Sequence, residues 1–99
     1  MTNCVLCDLI TGKKEQTLYY EDDKIKIVDN RNKTNYDRKL LCIWKEHKNK
    51  LTDNELLMFI HKILEIREKL NKEEGMWWDI VWSMRSQPQH FHLHLAQLK

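Results

Sequence analysis

Two glycines and one proline are all that punctuate these 99 residues, and no linker, internal repeat or low-complexity tract interrupts them, so a single domain over residues 1–99 is expected. No apolar run approaches the roughly 20 residues that cross a bilayer. The opening Met1-Thr2-Asn3-Cys4 lacks the charged region and apolar stretch of a signal peptide; a cytoplasmic protein with no membrane partner is expected. Cysteine is scarce and odd in number, three in all, which argues against a disulfide framework and for reduced thiols or metal ligands. No sign of charge dominates: 17 Lys and Arg face 15 acidic residues, for a net charge of +2. The basic residues are scattered, so no nucleic-acid footprint is present and no nucleic-acid partner is expected. What remains, 41% apolar and 32% charged residues, is the composition of an ordinary folded domain. At this size a bound metal or a partner subunit would help to stabilise it.

The hydrophobic pattern sorts into two helices and five strands. Cys4 to Ile10 reads as a short helix, with Asn3 as its cap, Gly12 as its stop and Leu6, Leu9 and Ile10 on one face. Leu18-Tyr19-Tyr20 and Lys24 to Asp29 flank the turn-like Glu21-Asp22-Asp23 as a hairpin. On the second of these strands Ile25, Ile27 and Asp29 share a face. Asp29 is either a carboxylate ending an apolar face or a strand-terminal residue that begins a turn. Asn30 to Asp37 reads as polar loop. Lys39 to Trp44 is continuously apolar from Leu40 onward and reads as a central strand covered on both sides, with Cys42 a buried small hydrophobe.

The long helix has the clearest start. Thr52-Asp53-Asn54-Glu55 is a capping box with Leu51 and Leu56 as its staple. Leu56, Phe59, Ile60, Ile63, Leu64, Ile66 and Leu70 recur at helical spacing, with Asn71 to Gly75 closing the helix and His61 solvated. Trp77 to Met84 alternates as a strand, and Arg85-Ser86-Gln87-Pro88-Gln89 connects it to the last one, its antiparallel neighbour. The expected fold is α+β: a five-stranded, mostly antiparallel sheet with one long helix and a short N-terminal helix.

Chemistry concentrates in the final strand, Gln89-His90-Phe91-His92-Leu93-His94-Leu95, which holds three of the five histidines. In an extended chain alternate side chains share a face, so the imidazoles stand about 7 Å apart on one side while Phe91, Leu93 and Leu95 enter the core. Imidazole titrates near neutrality, which suits nucleophilic, acid/base or metal chemistry. A second motif, Cys4-x-x-Cys7, presents two thiols about one turn apart, a spacing for one tetrahedral zinc; free thiols and a redox pair are the alternatives. Zinc would need two more ligands, for which His47 and one C-terminal histidine are available.

His90-Phe91-His92-Leu93-His94-Leu95 resembles the His-x-His-x-His-x-x motif of the histidine triad (HIT) superfamily. The likeness continues through Cys4-Val5-Leu6-Cys7, Tyr20-Glu21-Asp22-Asp23 before a strand ending in Asp29, Lys45-Glu46-His47, and one long helix before the triad. It is closest in kind to the zinc-binding, HINT-like branch. The resemblance implies a nucleotide hydrolase or transferase that cleaves at the α-phosphate of a nucleoside phosphate, with purine phosphoramidates or dinucleoside polyphosphates as substrates. His92 would be the nucleophile that forms a nucleotidyl-histidine, its other ring nitrogen bonded to a backbone carbonyl. His94 would contact the phosphate or leaving group. It also implies a structural zinc on Cys4, Cys7, His47 and His90, ribose hydroxyls on Asp29, the base near Ile27, Leu6 and Leu9, and a homodimer.

Two departures bear on this. The glycine-containing phosphate loop usual before the triad is reduced here to Arg85-Ser86-Gln87-Pro88-Gln89, with Ser86 and Gln87 as the nearest polar substitutes, and Trp44 stands where a proline is usual. The short loop motivates one alternative, a non-catalytic, zinc-containing nucleotide-binding or interaction module; a third reading puts a catalytic metal on His90, His92 and His94 themselves.

Overall fold

A computed structural model describes residues 4–13, 16–29, 36–75, 77–82 and 89–98. Its elements are α1 (Val5–Thr11), β1 (Leu18–Glu21), β2 (Ile25–Asp29), β3 (Tyr36–Trp44), α2 (Asp53–Glu74), β4 (Trp78–Val81) and β5 (His92–Leu98). The strands form one sheet in the order β1-β2-β3-β5-β4, with every pairing antiparallel. This is the α+β architecture expected from the sequence.

Asp22 makes the β1–β2 turn tight. Its Oδ1 accepts from the amides of Lys24 and Ile25 at 2.8 Å, and its Oδ2 accepts from the Tyr20 hydroxyl at 2.7 Å. β3 is the central strand, paired to β2 on one side and β5 on the other. Leu40 to Trp44 are all buried, because both faces of β3 are covered. Ile25, Ile27, Leu40, Cys42, Trp44, Leu93 and Leu95 pack under Phe59, Ile63, Ile66 and Leu70 of α2. On the other face Val28, Leu41 and Ile43 pack under Leu6 and Leu9 of α1.

The boundaries differ from the sequence reading where long-range pairing or backbone chemistry outweighs local pattern. β3 begins at Tyr36 instead of Lys39, because Tyr36 and Arg38 pair with Leu98 and Gln97 across a register shift. The polar composition there concealed a strand. α2 runs on to Glu74 and stops at Gly75, whose left-handed backbone (φ +66) suits glycine and whose amide bonds to the Asn71 carbonyl at 3.0 Å. The Asn71 side chain then accepts from the Trp78 amide at 3.0 Å, which ties the helix end to β4. The described strand at β4 is Trp78–Val81, shorter than the expected Trp77 to Met84; Ser83 and Met84 lie outside the described residues.

The capping box at α2 is formed in both directions. Glu55 N donates to the Thr52 hydroxyl at 3.2 Å and Thr52 N donates to the Glu55 carboxylate at 2.9 Å. Thr52→Ala is expected to cost about 1 kcal/mol, which for a domain of this size lowers the melting temperature by about 4–8 °C. Thermal unfolding followed by circular dichroism checks this.

Candidate metal centre and triad face

α1 begins on a cysteine. The N-cap is Cys4, whose Sγ accepts from the Cys7 amide at 3.4 Å; Asn3, the expected cap, lies outside the described residues. One turn of helix therefore brings both sulfurs to the same end of α1. His47 arrives from the segment after β3 and His90 from the residue pair before β5. These two segments are sewn together by Phe91 N to Lys48 O at 2.7 Å and Trp44 N to Phe91 O at 3.3 Å.

One ligand atom from each of Cys4, Cys7, His47 and His90 lies within 4.8 Å of the others. The Sγ to Nδ1 separations are 3.4 Å for Cys4 to His90, 3.5 Å for Cys7 to His90 and 3.1 Å for Cys7 to His47. His90 is fully buried, and its Nε2–H donates to the Trp44 carbonyl. That bond assigns the ring proton to Nε2 and leaves the Nδ1 lone pair facing the two sulfurs. The Cys7 thiol is pushed up to about 11, by burial first and then by the Cys4 sulfur and the Asp8 carboxylate. The surroundings thus resist a second negative charge, which a bound cation would accommodate. Cys42 stands apart, buried in the α2-side core with its thiol pushed up by burial, as expected of a small hydrophobe.

The triad strand starts two residues later than its motif. β5 opens at His92, so His90 is turned into the cysteine cluster while His92 and His94 share the face of the sheet opposite α2. On that face His92 lies in a row with Ile43 and Lys26, and His94 in a row with Leu41 and Val28. Leu93 and Leu95 point into the α2-side core, with Phe91 packed against it. Among the described residues no metal-holding group includes His92 or His94, so three triad ligands on one ion are not what the fold assembles.

His92 is held in a single reactive form. Its Nδ1 lies 2.8 Å from the His90 carbonyl. A carbonyl only accepts, so Nδ1 carries the proton and Nε2 keeps its lone pair. Burial lowers the pKa of His92, with the His90 hydrogen bond acting the other way, which keeps the ring neutral at pH 7. His94 stands edge-on to it at 5.5 Å between ring centroids. The His94 Nδ1 is buried with no hydrogen-bond partner among the described residues. Its pKa is pushed down to about 4 by burial first, then by the charge on Lys39 and by His92.

That depression has a consequence for stability. Because the folded pKa lies below the ordinary value of 6.5, the folded state takes up its proton later than the unfolded chain does. The stability present above pH 6.5 is therefore lost progressively as pH falls towards about 4. Urea unfolding of His94→Gln is expected to show a smaller drop between pH 7 and pH 4.5 than wild type; equal slopes would count against a buried, neutral His94.

The other sequence-derived site residues fare unevenly. Ile27 is wholly buried under α2, on the side of the sheet away from His92 and His94. It offers no surface to a base there; its neighbours Lys26 and Val28 are the β2 residues on the triad face. Leu6 and Leu9 are on the triad face, but each is only 3% exposed and serves to pack α1 on the sheet. Asp29 ends β2, half-buried, with its Oδ2 3.9 Å from Arg38 Nη2. Ser86 and Gln87 lie outside the described residues.

Two lysines on the triad face escaped the sequence reading. Lys26 Nζ donates to the Leu9 and Ile10 carbonyls at 2.9 and 3.5 Å, where a cation complements the helix C-terminus. Lys39 is paired with Ala96, one row from His94. Its position beside a continuous apolar run gave no period from which to assign a face; only the pairing of β3 with the triad strand reveals it.

No protein-family model matches this chain, and no curated protein matches it. Solved structures do. A histidine triad protein from Clostridium difficile superposes with a TM-score of 0.74 at 25% identity, covering 100% of this chain and 93% of that one. A HIT family hydrolase from Legionella pneumophila Philadelphia 1 gives a TM-score of 0.72 at 28% identity over 98% of this chain and 92% of that one. A histidine triad nucleotide-binding protein from Candida albicans gives 0.76 at 18% identity over 98% and 76%. The fold of this chain is that of these histidine triad proteins.

Proposed function

We propose that this chain is a histidine triad protein of the zinc-binding, HINT-like branch, acting as a nucleotide hydrolase or transferase through His92. The observation that carries this reading is the Nδ1 hydrogen bond from His92 to the His90 carbonyl, which fixes a neutral imidazole with its Nε2 lone pair free to attack. With a purine nucleoside phosphoramidate, Nε2 forms a bond to the α-phosphorus as the phosphorus–nitrogen bond to the leaving amine breaks. The amine leaves with a proton taken from the medium. The positive charge that develops on the His92 ring is shared with the His90 carbonyl through Nδ1–H. Water then attacks the phosphorus and releases the nucleoside monophosphate and a neutral His92. Dinucleoside polyphosphates are cleaved in the same way, with a nucleotide as leaving group.

His94 is neutral at pH 7 and has one buried nitrogen without a partner. A phosphate oxygen or leaving group satisfies it, and the substrate's negative charge raises its affinity for a proton. Asp29 lies across β3 from the triad strand, about 10 Å backbone to backbone, at the end of β2 and by strand parity on the Ile27 side of the sheet, so a nucleotide on the triad face reaches it around the end of the strand. Its carboxylate accepts the ribose hydroxyls in exchange for the long contact with Arg38.

Zinc on Cys4, Cys7, His47 and His90 is part of the same reading. With Zn–S near 2.3 Å and Zn–N near 2.05 Å, a tetrahedral ion sets S···N edges of about 3.6 Å, close to the 3.4 and 3.5 Å separations at His90. Two sulfurs and two imidazoles leave no position for substrate, so the metal's part is structural. Bound there, it would tie α1 and His47 to His90, the residue whose carbonyl orients the nucleophile. A homodimer and a reducing, cytoplasmic setting complete the proposal.

Incubation of the protein with adenosine phosphoramidate is expected to release AMP, read by chromatography. Binding of AMP without any turnover would favour the non-catalytic nucleotide-binding module instead.

A further inference from the structure

We infer that Lys39 supplies the positive charge for the substrate phosphate, a role taken from the floor of the sheet instead of from the loop before the triad. This rests on the nucleotide-processing reading above. β3 and β5 pair in register with Leu41 opposite His94 and Lys39 opposite Ala96. Lys39 and Leu41 are two apart on the same strand, so Lys39 shares the His92 and His94 face. It is the diagonal neighbour of His94, a relation that puts backbones about 7–8 Å apart and within reach of a long side chain. Ala96, its direct partner, is only a methyl group and does not stand between the lysine and the imidazole.

Lys39 is half-buried, and its charge is already felt at His94, where it is among the causes that keep the ring neutral. A cation held in partly desolvated surroundings beside an orphaned imidazole nitrogen is a receptor for phosphate oxygens: the lysine gives charge and the imidazole gives direction. Among the described residues Lys39 is a cation of this face one row from the triad's last histidine. Its chemistry selects ligands that carry a phosphate over the bare nucleoside.

Titration calorimetry with AMP and with adenosine, on wild type, Lys39→Met and Lys39→Arg, tests this. Loss of a charge-assisted contact weakens AMP binding by about 10- to 100-fold. Adenosine affinity is expected to be unchanged in Lys39→Met, AMP affinity is expected to be largely restored in Lys39→Arg, and kcat/KM for a phosphoramidate falls in parallel with AMP affinity. Unchanged AMP binding by Lys39→Met overturns the inference, and so does an equal loss for AMP and adenosine, which would mark a structural role. Wild type that binds neither ligand would refute the nucleotide reading itself and this inference with it.

Discussion

Alanine in place of His92 is expected to lower kcat/KM for adenosine phosphoramidate by about 10⁴-fold or more, the scale on which loss of a covalent nucleophile is felt. AMP affinity should change little, because the nucleophile's bond to phosphorus exists only during the reaction. His92 is 3% exposed, so truncation also leaves a void. His92→Asn, closer in volume, separates the two effects: it should be as inactive as His92→Ala while melting nearer to wild type. Turnover by either variant at a tenth of the wild-type rate would remove His92 from the chemistry. The prediction is steep because the fold commits this one ring so fully, with Nδ1 on the His90 carbonyl and a lowered pKa from burial.

Removal of the metal should have the second large effect, this time on stability. An ion present at a thousand times its dissociation constant stabilises the folded chain by about 4 kcal/mol; at about 4–8 °C per kcal/mol chelation should lower the melting temperature by about 15 °C or more. His47→Ala is the informative variant. The His47 side chain is exposed and contributes little packing, so a comparable drop in His47→Ala can be assigned to a lost ligand instead of a lost core. Turnover should fall too, since the same His90 that faces the sulfurs through Nδ1 orients His92 through its carbonyl. Protein that contains no stoichiometric zinc by elemental analysis, and that melts identically with and without chelator, would contradict the metal centre.

How much of this could be read from the chain itself depended on how local each signal was. The α2 start was legible because a capping box is four consecutive residues, and Thr52 and Glu55 bond as that pattern requires. The central position of β3 was legible because Leu40 to Trp44 is apolar without alternation, and both faces prove to be covered. The ends were less so. Tyr36 and Arg38 extend β3 only because Leu98 and Gln97 are there to pair with them, a fact 60 residues away in sequence.

At the site, the joining of Cys4, Cys7, His47 and His90 followed from motif and resemblance together, and the fold brings them into one cluster. Ile27 shows the opposite case. Strand parity alone placed it with Asp29, but which face of β2 met α2 was undetermined until the helix was docked, and Ile27 went beneath it. Lys39 was invisible for the related reason that a face on β3 has no meaning before β5 is paired beside it.

The most direct test of covalent catalysis by His92 is to trap the intermediate. Wild-type protein mixed with adenosine phosphoramidate and quenched at alkaline pH, where a phosphorus–nitrogen bond to imidazole survives, is expected to show by mass spectrometry one adenylyl group per chain, on the peptide that contains His92. His92→Ala should show none. An unmodified wild-type chain during measurable turnover, or an adduct on any other residue, would contradict the account.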